Sequence, residues 1–186
     1  MAPKFKITKE EIVEASLDLI RWEGRGALNA RSIASSLGCS TQPIFSNFSN
    51  MAELDLAVRA EAYSRYLVFT KEVVESNEYP LYKAAGMAYI RFAAEEKELF
   101  KLLFMCDRTG EDLTPTADFE STVDMIASSN GISREKASLL HLEMWIVVHG
   151  IATMQATSFL PLEWELISNV LTDVYLGVRE RILKEK

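Results

Sequence analysis

Apolar residues recur every three or four positions along almost the whole chain, and strand-like alternation is nearly absent. This pattern predicts an all-α protein of about nine helices. Thr8 and Glu11 form a capping box that opens the run KEEIVEASLDLIRWEG. Ile12, Ala15, Leu19 and Ile20 give that run one apolar face, and Gly24 and Gly26 end it. Two short helices follow, around a Gly-Cys-Ser turn between Asn29 and Phe48. Asn29 is placed to cap the first, whose apolar stripe is Ile33, Ala34 and Leu37, and Gly38 supplies the left-handed residue that stops it. Ser40 is placed to cap the second, and Pro43 falls in its first turn, where a missing N–H costs nothing. Asn50 then caps a long helix with Leu54, Val58, Ala62, Tyr66 and Phe69 on one face. Further helices are expected from Pro80 to about Glu95, from Lys97 to Met105, and from about Phe119 to Ser128. A long one starts at Ser133, with Lys136 completing its cap, and runs to about Phe159; the last is opened by Pro161. Only residues 106–118 read as an extended loop.

Two short helices joined by a glycine-containing turn suit a helix-turn-helix, whose second helix enters a DNA major groove. On a helical wheel Ile44 and Phe48 lie about 40° apart and define the buried face. Gln42, Pro43 and Ser46 point away from it, with Phe45 and Asn47 on the flanks. Gln and Asn can pair bidentately with adenine, and Ser or Thr can meet base edges or phosphates.

Three short helices followed by a long one resemble the TetR family of one-component transcriptional regulators, with an AcrR-like N-terminal helix-turn-helix over roughly residues 7 to 60. Arg31, Ile33, Ala34, Gly38, Ser40, Phe48 and Leu54 match the family pattern directly. Cys39, Ile44, Phe45 and Asn47 replace its usual Val, Leu, Tyr and His, and Met51 stands where the family has Lys. Phe45 lacks a hydroxyl and Met51 an ammonium, so phosphate contacts are expected to shift to Asn47, Asn50 and the helix N-termini. The set expected to meet DNA is Lys6, Asn29, Arg31, Ser40, Thr41, Gln42, Pro43, Phe45, Ser46, Asn47 and Asn50. The resemblance divides the chain into a DNA-binding domain, 1–50, and an effector-binding and dimerisation domain, 51–186.

In the second domain the string MWIVVHGIA places Trp145 and His149 at i and i+4, with Gly150 beside them. It resembles the WHG type of TetR regulatory domain. A mid-helix glycine costs roughly 1 kcal/mol relative to alanine, which suggests a close approach by another backbone or a ligand. By resemblance, an effector cavity is expected among Tyr66, Phe69, Met87, Tyr89, Phe92, Phe100, Phe104, His141, Met144, Trp145 and His149. Aromatic and Met walls suit a hydrophobic or aromatic small molecule, with His141, Glu143 and Gln155 as polar guides. The family's last two helices pair with their twins. The expected homodimer surface is Ile151, Met154, Trp164, Ile167, Val170, Leu171, Val174, Tyr175 and Val178. Such a dimer reads an inverted-repeat operator, and the family's usual mode is repression relieved by effector.

Charge changes the picture in one respect. The net charge of −7 is uneven: residues 1–50 carry +1 and the remainder −8. Lys4, Lys6 and Lys9 cluster where an arm can lie along phosphates. Cys39 and Cys106 form neither a disulfide framework nor a paired metal motif. The start MAPKFKITKEE lacks a signal-peptide core, and no apolar run approaches the roughly 20 residues of a membrane span, so a cytoplasmic location with no membrane partner is expected. His141 and His149 are about 80° apart on a helix and lack a third ligand, and no phosphate loop or nucleophile motif is present. No catalytic residue, metal or cofactor is therefore expected. Two alternatives stand beside the effector-controlled regulator: an all-α enzyme, and a DNA-binding regulator controlled by a protein partner, which would show a filled C-terminal core.

Overall fold

The computed structural model describes residues 7–107, 109 and 117–184. Among them the chain forms nine α-helices and no strand. In order they are α1 (Lys9–Glu23), α2 (Ala30–Ser36), α3 (Gln42–Asn47), α4 (Met51–Glu75), α5 (Leu81–Glu95), α6 (Lys97–Phe104), α7 (Ala117–Asn130), α8 (Arg134–Ala156) and α9 (Trp164–Lys184), with a 3-10 turn at Arg25–Ala27. Two compact units result. One comprises the chain up to Glu72 with Phe92–Cys106; the other comprises Val73–Arg91 and the chain from Asp107 onward.

In the first unit, local chemistry sets the helix ends. Thr8 Oγ1 accepts from the Glu11 N–H at 3.2 Å, and the Thr8 N–H donates to Glu11 Oε2 at 2.8 Å, which completes the capping box. Gly24, at φ 79°, closes α1 by donating to the Ile20 carbonyl at 2.8 Å. Asn29 Oδ1 accepts from the Arg31 and Ser32 N–H groups and starts α2. Gly38, at φ 63°, ends it: its N–H reaches the Ser35 carbonyl and that of Cys39 reaches Ala34, a Schellman arrangement. Ser40 does not cap α3. The helix begins one residue later, from Thr41, whose side chain makes no capping bond. α1 packs on α2, α3 and α6, and its core positions include Leu17, with Leu19 only half-buried. Ser16 is buried as well; its hydroxyl donates to the Ile12 carbonyl at 2.7 Å.

In the second unit, α8 packs against both α7 and α9. Ser133 caps it by accepting from the Lys136 N–H. Gly86 on α5 is the close-approach glycine here, since a Cβ would stand 3.3 Å from Val148 Cγ2 on α8. Gly150 has open space around its Cβ position among the described residues, so no close approach there explains it. α8 also corrects the expectation about membrane-length segments. It is long and apolar enough to cross a membrane by length and composition, and only 28% of that stretch is buried within this chain.

Replacing Asn29 by Ala removes two capping bonds at once. The expected cost is about 1 kcal/mol, read as a thermal midpoint lowered by about 2–4 °C for a chain of this size. An unchanged midpoint would contradict the cap assignment.

Candidate functional site

The helix-turn-helix is held from beneath. Ile44 is 1% and Phe48 3% exposed, and Ile33 and Ala34 of α2 are buried with them. Lys9 stands over the Phe48 ring at 5.0 Å and pairs with Glu53 at 3.5 Å. Lys9 is therefore tied to this scaffold and does not extend a basic arm. Lys6 and Lys4 lie outside the described residues.

The expected DNA-facing residues separate into two groups. Arg31, Ser40, Gln42 and Phe45 are exposed, with Phe45 at 51%, and the Arg31 guanidinium has no ion pair among the described residues. Thr41 and Pro43 are half-buried, and exposed Ser46 donates its hydroxyl to the Gln42 carbonyl at 2.9 Å. Asn29, Asn47 and Asn50 have structural duties. The Asn29 amide donates to the Ala27 carbonyl and the Ser32 hydroxyl while its oxygen caps α2. The Asn47 amide donates to the carbonyls of Pro43 at 2.8 Å and Ile7 at 3.2 Å, fastening α3 to the chain entering α1. Asn50 Oδ1 accepts from the Glu53 N–H and caps α4. The shift of phosphate binding to Asn47 is thus corrected, since both hydrogens of its amide are held by backbone carbonyls; at Asn50 only the amide oxygen is engaged.

The residues expected to line a cavity fall in both units. In the first, Tyr66, Phe69, Phe92, Phe100 and Phe104 pack on one another. Ring centroids are 5.2 Å apart for Tyr66–Phe92, 5.1 Å for Tyr66–Phe104 and 5.6 Å for Phe69–Phe92, all edge to face. Burial raises the Tyr66 phenol above its ordinary value. In the second unit, Met87, Tyr89 and Met144 are buried, and two tyrosine–histidine bonds link α5 to α8. Tyr82 Oη lies 2.9 Å from His141 Nδ1, and Tyr89 Oη 3.0 Å from His149 Nδ1. Trp145 stacks flat on His149, centroids 5.1 Å apart and planes 6° apart. Phe119 and Tyr82 flank His141, and Tyr175 continues the aromatic run.

Tyr82 was absent from the expected set. The signal for it was available: Tyr82 and Tyr89 are seven apart and His141 and His149 eight apart, two turns on each of two helices. Glu143 and Gln155 are not ligand guides, since Glu143 pairs with Arg181 and the Gln155 amide donates to the Leu162 carbonyl. Of the expected dimer residues, Ile151, Ile167 and Leu171 are buried within this chain and cannot form an outer surface. Met154, Val170, Val174, Tyr175 and Val178 are half-buried, and Trp164 is exposed.

The chain is 24% identical over 157 residues to an uncharacterised HTH-type transcriptional regulator of Mycobacterium tuberculosis, an alignment covering 82% of this chain and 72% of that one. Residues 82–171 match the tetracyclin repressor-like C-terminal domain. Residues 82–171 thus carry a TetR-type C-terminal domain, and the chain is similar to HTH-type transcriptional regulators. Solved structures share the fold over most of the chain. A protein of unknown function from Rhodococcus sp. RHA1 superposes with a TM-score of 0.71 at 19% identity, covering 97% of this chain and 98% of that one. The multidrug binding protein EbrR, complexed with imidazole, gives 0.55 at 17% identity over 89% and 93%. The fatty acid degradation regulator FadR from Bacillus halodurans gives 0.54 at 14% over 96% and 95%. The matched TetR domain contains Tyr82, Tyr89, His141, Trp145 and His149. Its family and curated relative are transcriptional regulators, not enzymes.

Burial holds both histidines below the ordinary imidazole value. The unfolded chain therefore takes up protons near pH 6.5 that the folded chain does not yet bind, so stability is complete above that pH and falls as pH drops through it. Thermal unfolding from pH 8 to pH 5.5 should show a shallower fall for His141→Phe than for the parent chain. Equal slopes would remove His141 from the acid response.

Proposed function

We propose that this TetR-family regulator is a cytoplasmic homodimeric repressor that binds an inverted-repeat operator through α3 and is released by a hydrophobic or aromatic small molecule. The observation that carries the DNA reading is the exposed set Arg31, Gln42 and Phe45, presented over the buried anchors Ile44 and Phe48. Gln42 has the donor–acceptor pair that recognises adenine, and Arg31, with no ion pair among the described residues, has a cation for a phosphate. Selection from a random duplex library is expected to enrich a short inverted repeat. Gln42→Ala should then relax base preference by about 1–3 kcal/mol at one position, whereas Arg31→Ala weakens all sequences alike and lowers the salt slope by about one. Enrichment of no sequence would end the DNA-reading assignment.

The dimer surface moves from the buried positions to the outer face of α8. Leu139, Leu142 and Ile146 are spaced three and four apart on that helix and all are exposed, Ile146 by 57%. Gly150 continues the same face, and a Cβ there would meet nothing within 4 Å among the described residues. A bundle with a second copy would bury this stripe and account for the glycine. Ile146→Glu is expected to shift the sedimenting species from dimer to monomer while helicity stays unchanged. A dimer of undiminished stability would place the interface elsewhere.

For the effector, the fold of EbrR holds imidazole, an aromatic small molecule. In this chain Tyr89, His149 and Trp145 supply the aromatic and hydrogen-bonding groups for such a ligand. A second reading, control by a protein partner, is favoured by the mutual packing of Tyr66, Phe69, Phe92 and Phe104, which fills space with side chains.

A further inference from the structure

The seam between the C-terminal turn of α1 and the start of α6 opens as a shallow cleft of about 770 Å³ that none of the foregoing roles uses. Its lining includes Arg21, Trp22, Glu23, Glu95, Glu96 and Glu98, all within the first unit. Arg21 and Glu96 form its base as a bidentate pair, with Nε and Nη2 at 3.0 and 2.9 Å from the two carboxylate oxygens. Glu98 pairs with Lys101 at 2.6 Å. Glu23 and Glu95 are exposed and have no ion-pair partner among the described residues. Even with Lys97 counted, the lining holds two more carboxylates than cations.

The second feature is Trp22, which is 86% exposed on the rim of this cleft. Tryptophan is seldom left so bare, since its ring is the largest apolar surface a residue can bury. Indole faces attract guanidinium and ammonium groups, and tryptophan is enriched among the anchors of protein interfaces. A small ligand is held by a concavity that covers most of it, which this open cleft does not provide. A polypeptide brings its own cover. We infer that the cleft docks an arginine- or lysine-bearing segment of a partner protein, its cation over the Trp22 indole and against Glu23 and Glu95. None of its lining residues belongs to α3 or α8.

The test is fluorescence anisotropy of a labelled hexa-arginine peptide titrated with the full chain at low and physiological salt. Binding is expected, and Trp22→Ala should weaken it about five- to twenty-fold, with Trp22→Phe recovering part of the loss. Glu95→Gln and Glu23→Gln should each weaken it further, whereas Glu163→Gln, an exposed carboxylate outside the cleft lining, should not. All these side chains are exposed, so circular dichroism should report the same helicity throughout. Unchanged affinity for the Trp22→Ala, Glu95→Gln double variant would overturn the proposal. Arginine amide binding as tightly as the peptide would reassign the cleft to small cations. Loss of self-association in Trp22→Ala would reassign it to a second copy of the chain.

Discussion

Burial of Ile44 and Phe48 is the constraint on which the exposed face of α3 depends. α3 has six residues, and isolated helices shorter than about 12–15 residues do not hold in water. Its existence and its direction are therefore tertiary. Each anchor contributes on the order of 1.5–3 kcal/mol by leaving water. Lys9 over the Phe48 ring and the two Asn47 bonds then fix rotation about the anchored edge. Gln42 and Phe45 point outward because Ile44 and Phe48 point inward. Their orientation is inherited from that burial.

Features set by neighbouring residues were mostly legible in the sequence, the expected cap at Ser40 being the exception. The capping box at Thr8, the caps at Asn29, Asn50 and Ser133, and the left-handed Gly38 all depend on groups within about four positions, and all are present. Features set by distant groups were not. Asn47 looks like a DNA-facing amide until Ile7, forty positions away, claims one of its hydrogens. Glu143 looks like a ligand guide until Arg181 arrives from α9. Ile151, Ile167 and Leu171 have the apolar periodicity of an interface, but a core and an interface impose the same periodicity, and only burial separates them. Tyr82 required two helices to be laid side by side before its register with His141 could be seen.

α8 shows why an apolar helix can satisfy a membrane-length criterion without that reading being the best one. One of its faces buries Leu140, Met144, Ile151 and Ala152, and another leaves Leu139, Leu142 and Ile146 exposed. A helix that is apolar on two faces needs two partners, and α7 and α9 supply one set. Its polar positions argue for protein contact on both sides. Arg134 pairs with Glu120 and Asp124 of α7, and Glu143 with Arg181 of α9. His141 is bonded to Tyr82 on α5. Charged groups within a bilayer are costly and rare, whereas here they are the ties between neighbouring helices.

The charge distribution fits this division of labour. Phosphates repel the −8 of residues 51–186 and tolerate the +1 of residues 1–50, so approach to a duplex is oriented before any contact forms. That head is only weakly attractive. Lys9, Arg21 and Arg25 are paired with Glu53, Glu96 and Asp55, and positions 45 and 51 offer a phenyl ring and a thioether. Non-specific affinity grows with the number of phosphates neutralised, and these side chains offer few cations for it. The guanidinium of Arg31, which pairs with no carboxylate among the described residues, then matters out of proportion to its single charge.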